Sequence, residues 1–178
     1  MKLEIYCDGS GNTMQGTGGY GWVIVRDGVE MASGSGFIPK ATNNVAEITA
    51  AIKGMEHTLS LPEFGQATEV SLVSDSQLVL RYATGEYKCK AMHLVPLYIR
   101  LRSLYGQTRA TTRWVRGHTG DHFNEKCDTL AGNARKSGCQ IKNELENISD
   151  STDLKTELKD LPKRKSGARK IQSVKKKD

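Results

Sequence analysis

The sequence predicts an α/β protein in which one mixed sheet is flanked by helices. Three β-rich segments come first, within residues 1–37, and helical and strand segments then alternate up to about residue 139. Strands that follow one another directly favour antiparallel pairing, whereas strands separated by a helix favour parallel pairing through a crossover. We therefore expect a five-stranded sheet with three antiparallel strands followed by two parallel ones.

The first three strands are predicted from residue alternation and turn signals. Apolar residues alternate over 2–7, which is typical of a half-buried strand, and the run stops at Asp8, where a glycine-rich stretch begins. Asp8 is therefore expected at a strand end. Residues 20–25 are rich in β-formers, and the hairpin dipeptide Asp27-Gly28 precedes a returning strand over 29–37.

Helices and strands alternate in the rest of the body. Apolar residues at three- and four-residue spacing indicate helices, and short β-rich runs indicate strands. Thr42-Asn43-Asn44 is typical of a helix start, and Gly138 of a helix stop. The predicted elements are a helix after residue 44, a strand over 69–74, a helix from residue 76, a helix over 92–105, a strand over 111–115 and a helix over 122–136.

The body and the C-terminal tail differ in charge. Of the net charge of +6, residues 1–139 carry +2 and residues 140–178 carry +4, concentrated in the basic run 163–178. We expect a folded domain over 1–139 and a polar tail over 140–178 that ends in a disordered basic arm. The arm either only solvates the chain or serves nucleic-acid binding or localisation. With no apolar run long enough to span a bilayer and no signal-peptide pattern, the sequence predicts a cytoplasmic protein with no membrane partner.

Four acidic residues stand near strand ends or on helix faces that could meet at one point: Asp8, Glu47, Asp75 and Asp128. Any one of them alone would more often be an exposed surface residue. Grouped carboxylates repel one another unless a cation lies among them. Since Mg²⁺ prefers a few carboxylates together with water and substrate phosphates, the joint placement predicts a hard divalent cation.

These acids fall within four sequence motifs that share the order and spacing of one known family. The motifs are Cys7-Asp8-Gly9-Ser10, Thr42-Asn43-Asn44-Val45-Ala46-Glu47, Ser74-Asp75-Ser76-Gln77, and Trp114-Val115-Arg116-Gly117-His118-Thr119-Gly120 through Asn124-Glu125-Lys126-Cys127-Asp128. In these motifs the chain resembles type 1 ribonuclease H over residues 1–139. The resemblance implies the ribonuclease H-like fold and hydrolysis of the RNA strand of RNA–DNA hybrids, with 3′-hydroxyl and 5′-phosphate products.

The resemblance also implies a role for each site residue. The four acids would hold two divalent ions, Mg²⁺ with Mn²⁺ as a substitute, and His118 would assist proton transfer or product release. The implied substrate contacts are Thr42 and Asn43 to a DNA-strand phosphate, Asn44 and Gln77 to the minor groove, and Asn12 in the first loop. For Thr42 and Asn43 the alternative is simple capping of a helix.

Two rival functions stay open on the same fold: a DNA-cutting nuclease or recombinase, and a hybrid-binding module without catalysis. The expected partner is an RNA–DNA hybrid and the expected state is a monomer. The long basic protrusion common in bacterial relatives is missing, because residues 81–91 hold few basic or aromatic side chains. The basic arm over 163–178 is a candidate to supply the affinity for the hybrid that such a protrusion would otherwise give.

Overall fold

The computed structural model describes residues 1–150, with side chains described for residues 1–143. The helices and strands follow the predicted order, with two additional short 3₁₀ turns, Pro62–Gln66 and Met92–Leu94. The elements are β1 (Lys2–Asn12), β2 (Thr17–Arg26), β3 (Val29–Ile38), α1 (Asn43–Ser60), β4 (Glu69–Ser74), α2 (Gln77–Thr84), α3 (Val95–Thr108), β5 (Thr111–Trp114) and α4 (His122–Asp150).

The five strands form one sheet in the order β3-β2-β1-β4-β5. Strands β1, β2 and β3 pair antiparallel, as expected for strands joined by short turns. Strands β1 and β4 pair in parallel, and so do β4 and β5. The predicted mixed sheet is therefore confirmed, and β1 lies at its centre, between an antiparallel and a parallel neighbour.

The expected strand end at Asp8 is wrong, because β1 continues to Asn12. Residues 8–12 pair with β2, and Asp8 lies opposite Gly21. The glycines that suggested a turn serve close packing instead: a Cβ on Gly9 would lie 2.2 Å from the backbone nitrogen of Glu47. Parallel pairing with β4, however, ends at Tyr6 opposite Val73, so Asp8 lies two residues beyond it.

The main core lies between the sheet and α1. Its largest members have no exposed surface and come from elements distant in sequence; they include Leu3, Ile5, Ile24, Ile48, Met55 and Leu72. A smaller core on the other side of the sheet joins Tyr6, Val23, Val25 and Val73 to Cys127 of α4. Because each buried aliphatic side chain contributes roughly 1.5–3 kcal/mol, these two layers hold the helices on the sheet.

The last helix does not stop at Gly138, which corrects a second expectation. Gly138 is buried inside α4, and a Cβ there would lie 2.1 Å from the Phe37 ring of β3. Further along, Gly19 and Gly21 of β2 bring that strand against the α4 backbone at Ala131 and Cys127. Glycine thus allows α4 to pack closely across the sheet. The backbone is still helical at Gly138, and α4 continues past this residue.

Residues 1–142 form one compact unit. The division into a body over 1–139 and a tail over 140–178 stays a prediction, and the basic arm over 163–178 lies outside the described residues. Among the helices within residues 1–150, none is both long and apolar enough to cross a membrane. All four cysteines are free thiols, and Cys7 and Cys127 are buried.

Candidate active site

Two of the predicted acids lie at the C-terminal ends of the parallel-paired segments of β1 and β4. Asp75 directly follows β4, and Asp8 extends past the last residue of β1 that pairs with β4. In open α/β sheets, ligands bind at the C-terminal ends of the strands. Asp8 is 9% exposed, and one of its carboxylate oxygens accepts a 2.7 Å hydrogen bond from the backbone N–H of Gly9.

Glu47 is brought to the same place by the packing of α1 on β1. The helix begins after Thr42, whose hydroxyl accepts a hydrogen bond from the Val45 N–H, as predicted for a cap. Both Glu47 oxygens have donors: Ser76 Oγ at 2.6 Å and Asn43 Nδ2 at 2.7 Å. These two bonds fix the direction in which the Glu47 carboxylate faces.

Asp128 and His118 form the more exposed side of the site. Asp128 lies on α4, and one of its oxygens is 4.0 Å from His118 Nδ1. Their side chains are 47% and 83% exposed, so the contact is loose. His118 has a φ of +54°, in the left-handed region that non-glycine residues rarely adopt. The loop thus presents the imidazole beside the Asp128 carboxylate.

The four acids form one electrostatic cluster. Burial and, next, the negative charge of Asp75 raise the pKa of Asp8 to about 8, with smaller contributions from Asp128 and Glu47. Burial likewise raises the pKa of Glu47, and Asp75 adds to that rise, while the hydroxyl of Ser76 lowers it. The structure therefore brings together all four acids that the sequence singles out.

The donor set of this cluster fits a hard divalent cation. Carboxylate oxygens are what Mg²⁺ and Mn²⁺ prefer, and a cation among them would relieve the repulsion that raises the pKa of Asp8. Within the side chains that the structure describes, no three His, Cys, Asp or Glu groups are arranged to hold a single ion. Both Glu47 oxygens accept hydrogen bonds, from Ser76 and from Asn43.

The predicted substrate residues lie on or next to the elements that carry or adjoin Asp8, Glu47 and Asp75. Asn43 Oδ1 accepts from the Gly11 N–H at 2.9 Å while its amide donates to Glu47, so the residue bridges β1 and α1. Asn44 and Gln77 are exposed on the first turns of α1 and α2. Asn12 ends β1, and its side-chain oxygen accepts from two backbone N–H groups of the following loop.

Two residues that contact the acids were not singled out by the sequence analysis as functional. Ser76 caps α2 and bonds Glu47. Asn124 is 3% exposed and donates from Nδ2 to Asp75 Oδ2 at 3.3 Å. A signal was available for each: Ser76 adjoins Asp75, and Asn124 precedes Asp128 by one helical turn and thus lies on the same face of α4.

Comparison with known proteins gives consistent matches. The family model described as RNase H matches residues 1–136. A Ribonuclease H of Syntrophotalea carbinolica is 35% identical over 148 residues, which is 77% of this chain and 93% of that protein. The solved N-terminal RNase H domain of a Mycobacterium tuberculosis protein is 31% identical, with a TM-score of 0.69, over 79% of this chain and 98% of that one. LC11-RNase H1, solved in complex with an RNA/DNA hybrid, is 25% identical, with a TM-score of 0.68, over 77% of this chain and 99% of that one.

Proposed function

This chain belongs to the RNase H family and is an RNA–DNA hybrid ribonuclease, and from that premise we propose that its acidic cluster cuts the RNA strand by two-metal-ion catalysis. The acidic cluster consists of the carboxylates of Asp8, Glu47, Asp75 and Asp128. The observation that carries the proposal is the gathering of these carboxylates: burial first, and then the charges of Asp75, Asp128 and Glu47, raise the pKa of Asp8 to about 8. A relative of similar fold is solved with an RNA/DNA hybrid, which supports the same substrate here.

The four carboxylates would hold two Mg²⁺ ions, with Mn²⁺ as a substitute, because both are hard cations that take oxygen ligands. When bound, such a pair activates an attacking water and stabilises the leaving oxygen of an in-line displacement, which leaves 3′-hydroxyl and 5′-phosphate ends. Ser76 and Asn43 orient Glu47 for this task through the two hydrogen bonds to its oxygens. Asp8 is ionised when positive charge offsets its acidic neighbours.

His118 would handle a proton at the edge of the site. Its imidazole is exposed, lies on a loop and is 4.0 Å from Asp128. An imidazole can accept or donate a proton near neutral pH, which suits it to assist proton transfer or product release. The loop is bounded by glycines, Gly117 and Gly120, the second with a φ of +92°. This placement lets His118 approach and leave the scissile phosphate.

The hybrid would lie across the N-terminal turns of α1 and α2. Thr42 and Asn43 would contact a phosphate of the DNA strand, and Asn44 and Gln77 would reach the minor groove, with Asn12 as a further contact. Amide groups both donate and accept, so they can read base edges and the 2′-hydroxyl of RNA. Asn43 also bonds Glu47, so DNA-strand binding and the position of a metal ligand share one residue.

We further propose that residues 1–139 are the catalytic domain, that residues 140–178 are a polar tail with a basic arm, and that the protein acts as a cytoplasmic monomer. The family match ends at residue 136, close to the proposed boundary. The charge of the tail would add affinity for the polyanionic hybrid.

The test is cleavage of a labelled RNA–DNA hybrid by the full chain in Mg²⁺, beside duplex DNA and duplex RNA. We expect cleavage of the hybrid alone, with 5′-phosphate ends that resist kinase labelling until phosphatase treatment. The Asp75→Asn variant should lose turnover and keep the wild-type fold by circular dichroism. Glu69→Gln, an exposed acid at the other end of β4, is the matched control and should retain full activity.

Each rival makes a different prediction in the same assay. Cleavage of duplex DNA would favour a nuclease or recombinase. A folded wild type that binds the hybrid without cutting it would identify a binding module, and retained cutting by Asp75→Asn would remove that acid from the site.

A further inference from the structure

Asn124 is a buried amide in contact with the acidic cluster. It lies in the first turn of α4 and is 3% exposed, and its Nδ2 donates to Asp75 Oδ2 over 3.3 Å. Its backbone N–H donates to the side chain of Asp121, the residue just before the helix. The amide thus joins the start of α4 to the carboxylate that ends β4.

The other half of the amide has no partner. Asn124 Oδ1 is buried and accepts no hydrogen bond from the described residues. Turning the amide over would not help, because Oδ1 would then face the Asp75 oxygen. A buried acceptor left unpaired costs about 1–3 kcal/mol. A native protein that retains such a group usually does so for function rather than stability.

The same contact involves the loop that carries His118. A Cβ on Gly117 would lie 2.5 Å from Asp75 Oδ2, so the loop backbone packs directly against that oxygen. At the far end of the loop, the Gly120 N–H donates to Glu125 at 2.9 Å. Asp75 Oδ2 is therefore contacted both by the loop backbone at Gly117 and by the Asn124 amide.

We propose that Asn124 is a positioning residue: it sets the orientation of the Asp75 carboxylate for metal binding and links the His118 loop to that carboxylate. The proposal rests on the proposed function of the acidic cluster. Partners that orient metal ligands typically contribute 10- to 100-fold to metal affinity or activity, on the order of the effect expected here.

Two variants of similar shape test this role in the full chain. Asn124→Leu keeps the branched side chain and removes both polar atoms. Asn124→Asp keeps the size and replaces the donor by an oxygen, at the cost of an added charge beside Asp75. If both variants change the measurements in the same way, the common cause is the lost N–H donor. Asn133→Ala, an exposed asparagine on the same helix, is the matched control.

The readouts are kcat, KM, the Mg²⁺ concentration at half-maximal activity, and the rise in Tm that Mg²⁺ causes without substrate. For both variants we expect kcat to fall about 10- to 100-fold and the half-maximal Mg²⁺ concentration to rise about 10-fold. KM should stay within about 3-fold, and the Mg²⁺-dependent rise in Tm should shrink. Asn124→Leu should be at least as stable as wild type in EDTA, because the unpaired acceptor is gone.

Wild-type kcat and Mg²⁺ dependence in either folded variant would overturn the proposal. A fall in Tm in EDTA with unchanged Mg²⁺ dependence would assign Asn124 a purely structural role. If wild type itself leaves the hybrid uncut, the proposed function fails; if wild type cuts and the variants match it, only the role of Asn124 fails.

Discussion

Two acids on the same face of β1, four residues apart, have opposite surroundings. Glu4 accepts a 2.8 Å hydrogen bond from Arg113 of β5, and Lys2 lies 3.3 Å away. Around Asp8, by contrast, the charges that most affect its pKa are the negative ones of Asp75, Asp128 and Glu47. The first acid lies in a charge-balanced network, whereas the second adds to an excess of negative charge.

The difference teaches which charges serve the fold and which serve the chemistry. Arg113 also donates to the Tyr6 hydroxyl at 2.8 Å and lies over its ring, so this cation joins side chains of two strands, β1 and β5. Gathering carboxylates as at Asp8 destabilises the folded chain, because burial and repulsion both oppose ionisation. Strain of this kind is retained where function needs it.

The largest difference between Asp8 and Glu4 is expected when each acid is neutralised in turn. Asp8→Asn should lower kcat by roughly 1,000-fold or more, because a metal ligand contributes several kcal/mol to transition-state stabilisation. Glu4→Gln, on the same strand, should keep wild-type activity. Hybrid cleavage at saturating Mg²⁺ measures both. Equal losses in the two variants would show that position on β1, not the metal site, explains the effect.

The pH dependence of stability should separate the two acids next. The pKa of Asp8 is raised from 3.8 to about 8, so the folded chain binds this proton more tightly than the unfolded chain. That contribution is fully present below pH 4 and is lost as the pH rises through 8. Each pKa unit is worth about 1.4 kcal/mol, so the loss is on the order of several kcal/mol.

Asp8→Asn removes this loss. In EDTA, its Tm relative to wild type should therefore rise between pH 5 and pH 9, whereas Glu4→Gln should show no such relative gain. Parallel Tm curves for Asp8→Asn and wild type across this range would contradict the assignment of the raised pKa to Asp8.

Removing the cation at the balanced end should affect stability and not catalysis. Arg113→Leu breaks the contacts to Glu4 and Tyr6. Since the Arg113 side chain is 40% exposed, water screens part of the charge loss, and we expect a cost of about 1–2 kcal/mol. Urea unfolding measures it, and a double-mutant cycle with Glu4→Gln gives the pair energy. A large fall in kcat with unchanged stability would refute the assignment of the Glu4–Arg113 pair to stability alone.

The smallest effect is expected where a neutral donor holds Glu47, one of the proposed metal ligands. Ser76→Ala removes the 2.6 Å bond to Glu47 and the cap of α2, so we expect a roughly 10-fold fall in kcat and a loss of about 1 kcal/mol in stability. Ser76→Thr keeps both hydroxyl roles and should recover most of each. Full activity in Ser76→Ala would show that Asn43 alone holds Glu47.

Several features could be read from residue order alone, because they depend on local chemistry. The alternation of apolar residues, the Asp27-Gly28 turn and the cap at Thr42 act over a few residues, and the elements they predict are present. The four acids could be found for a similar reason: their motifs keep a fixed order along the chain, and in the structure Asp75, Asp128 and Glu47 lie near enough to Asp8 to affect its pKa.

Other features depended on which distant residues face each other, and only the tertiary structure decided them. The glycines Gly9 and Gly138 resemble turn or stop signals locally, yet each lies where another element packs too closely for a side chain. The Arg113 and Glu4 pair spans 109 positions, and Asn124 meets Asp75 across 49. Sequence patterns carry the preferences of neighbouring residues, whereas these contacts follow from sheet register and helix packing, which arise only when the whole core assembles.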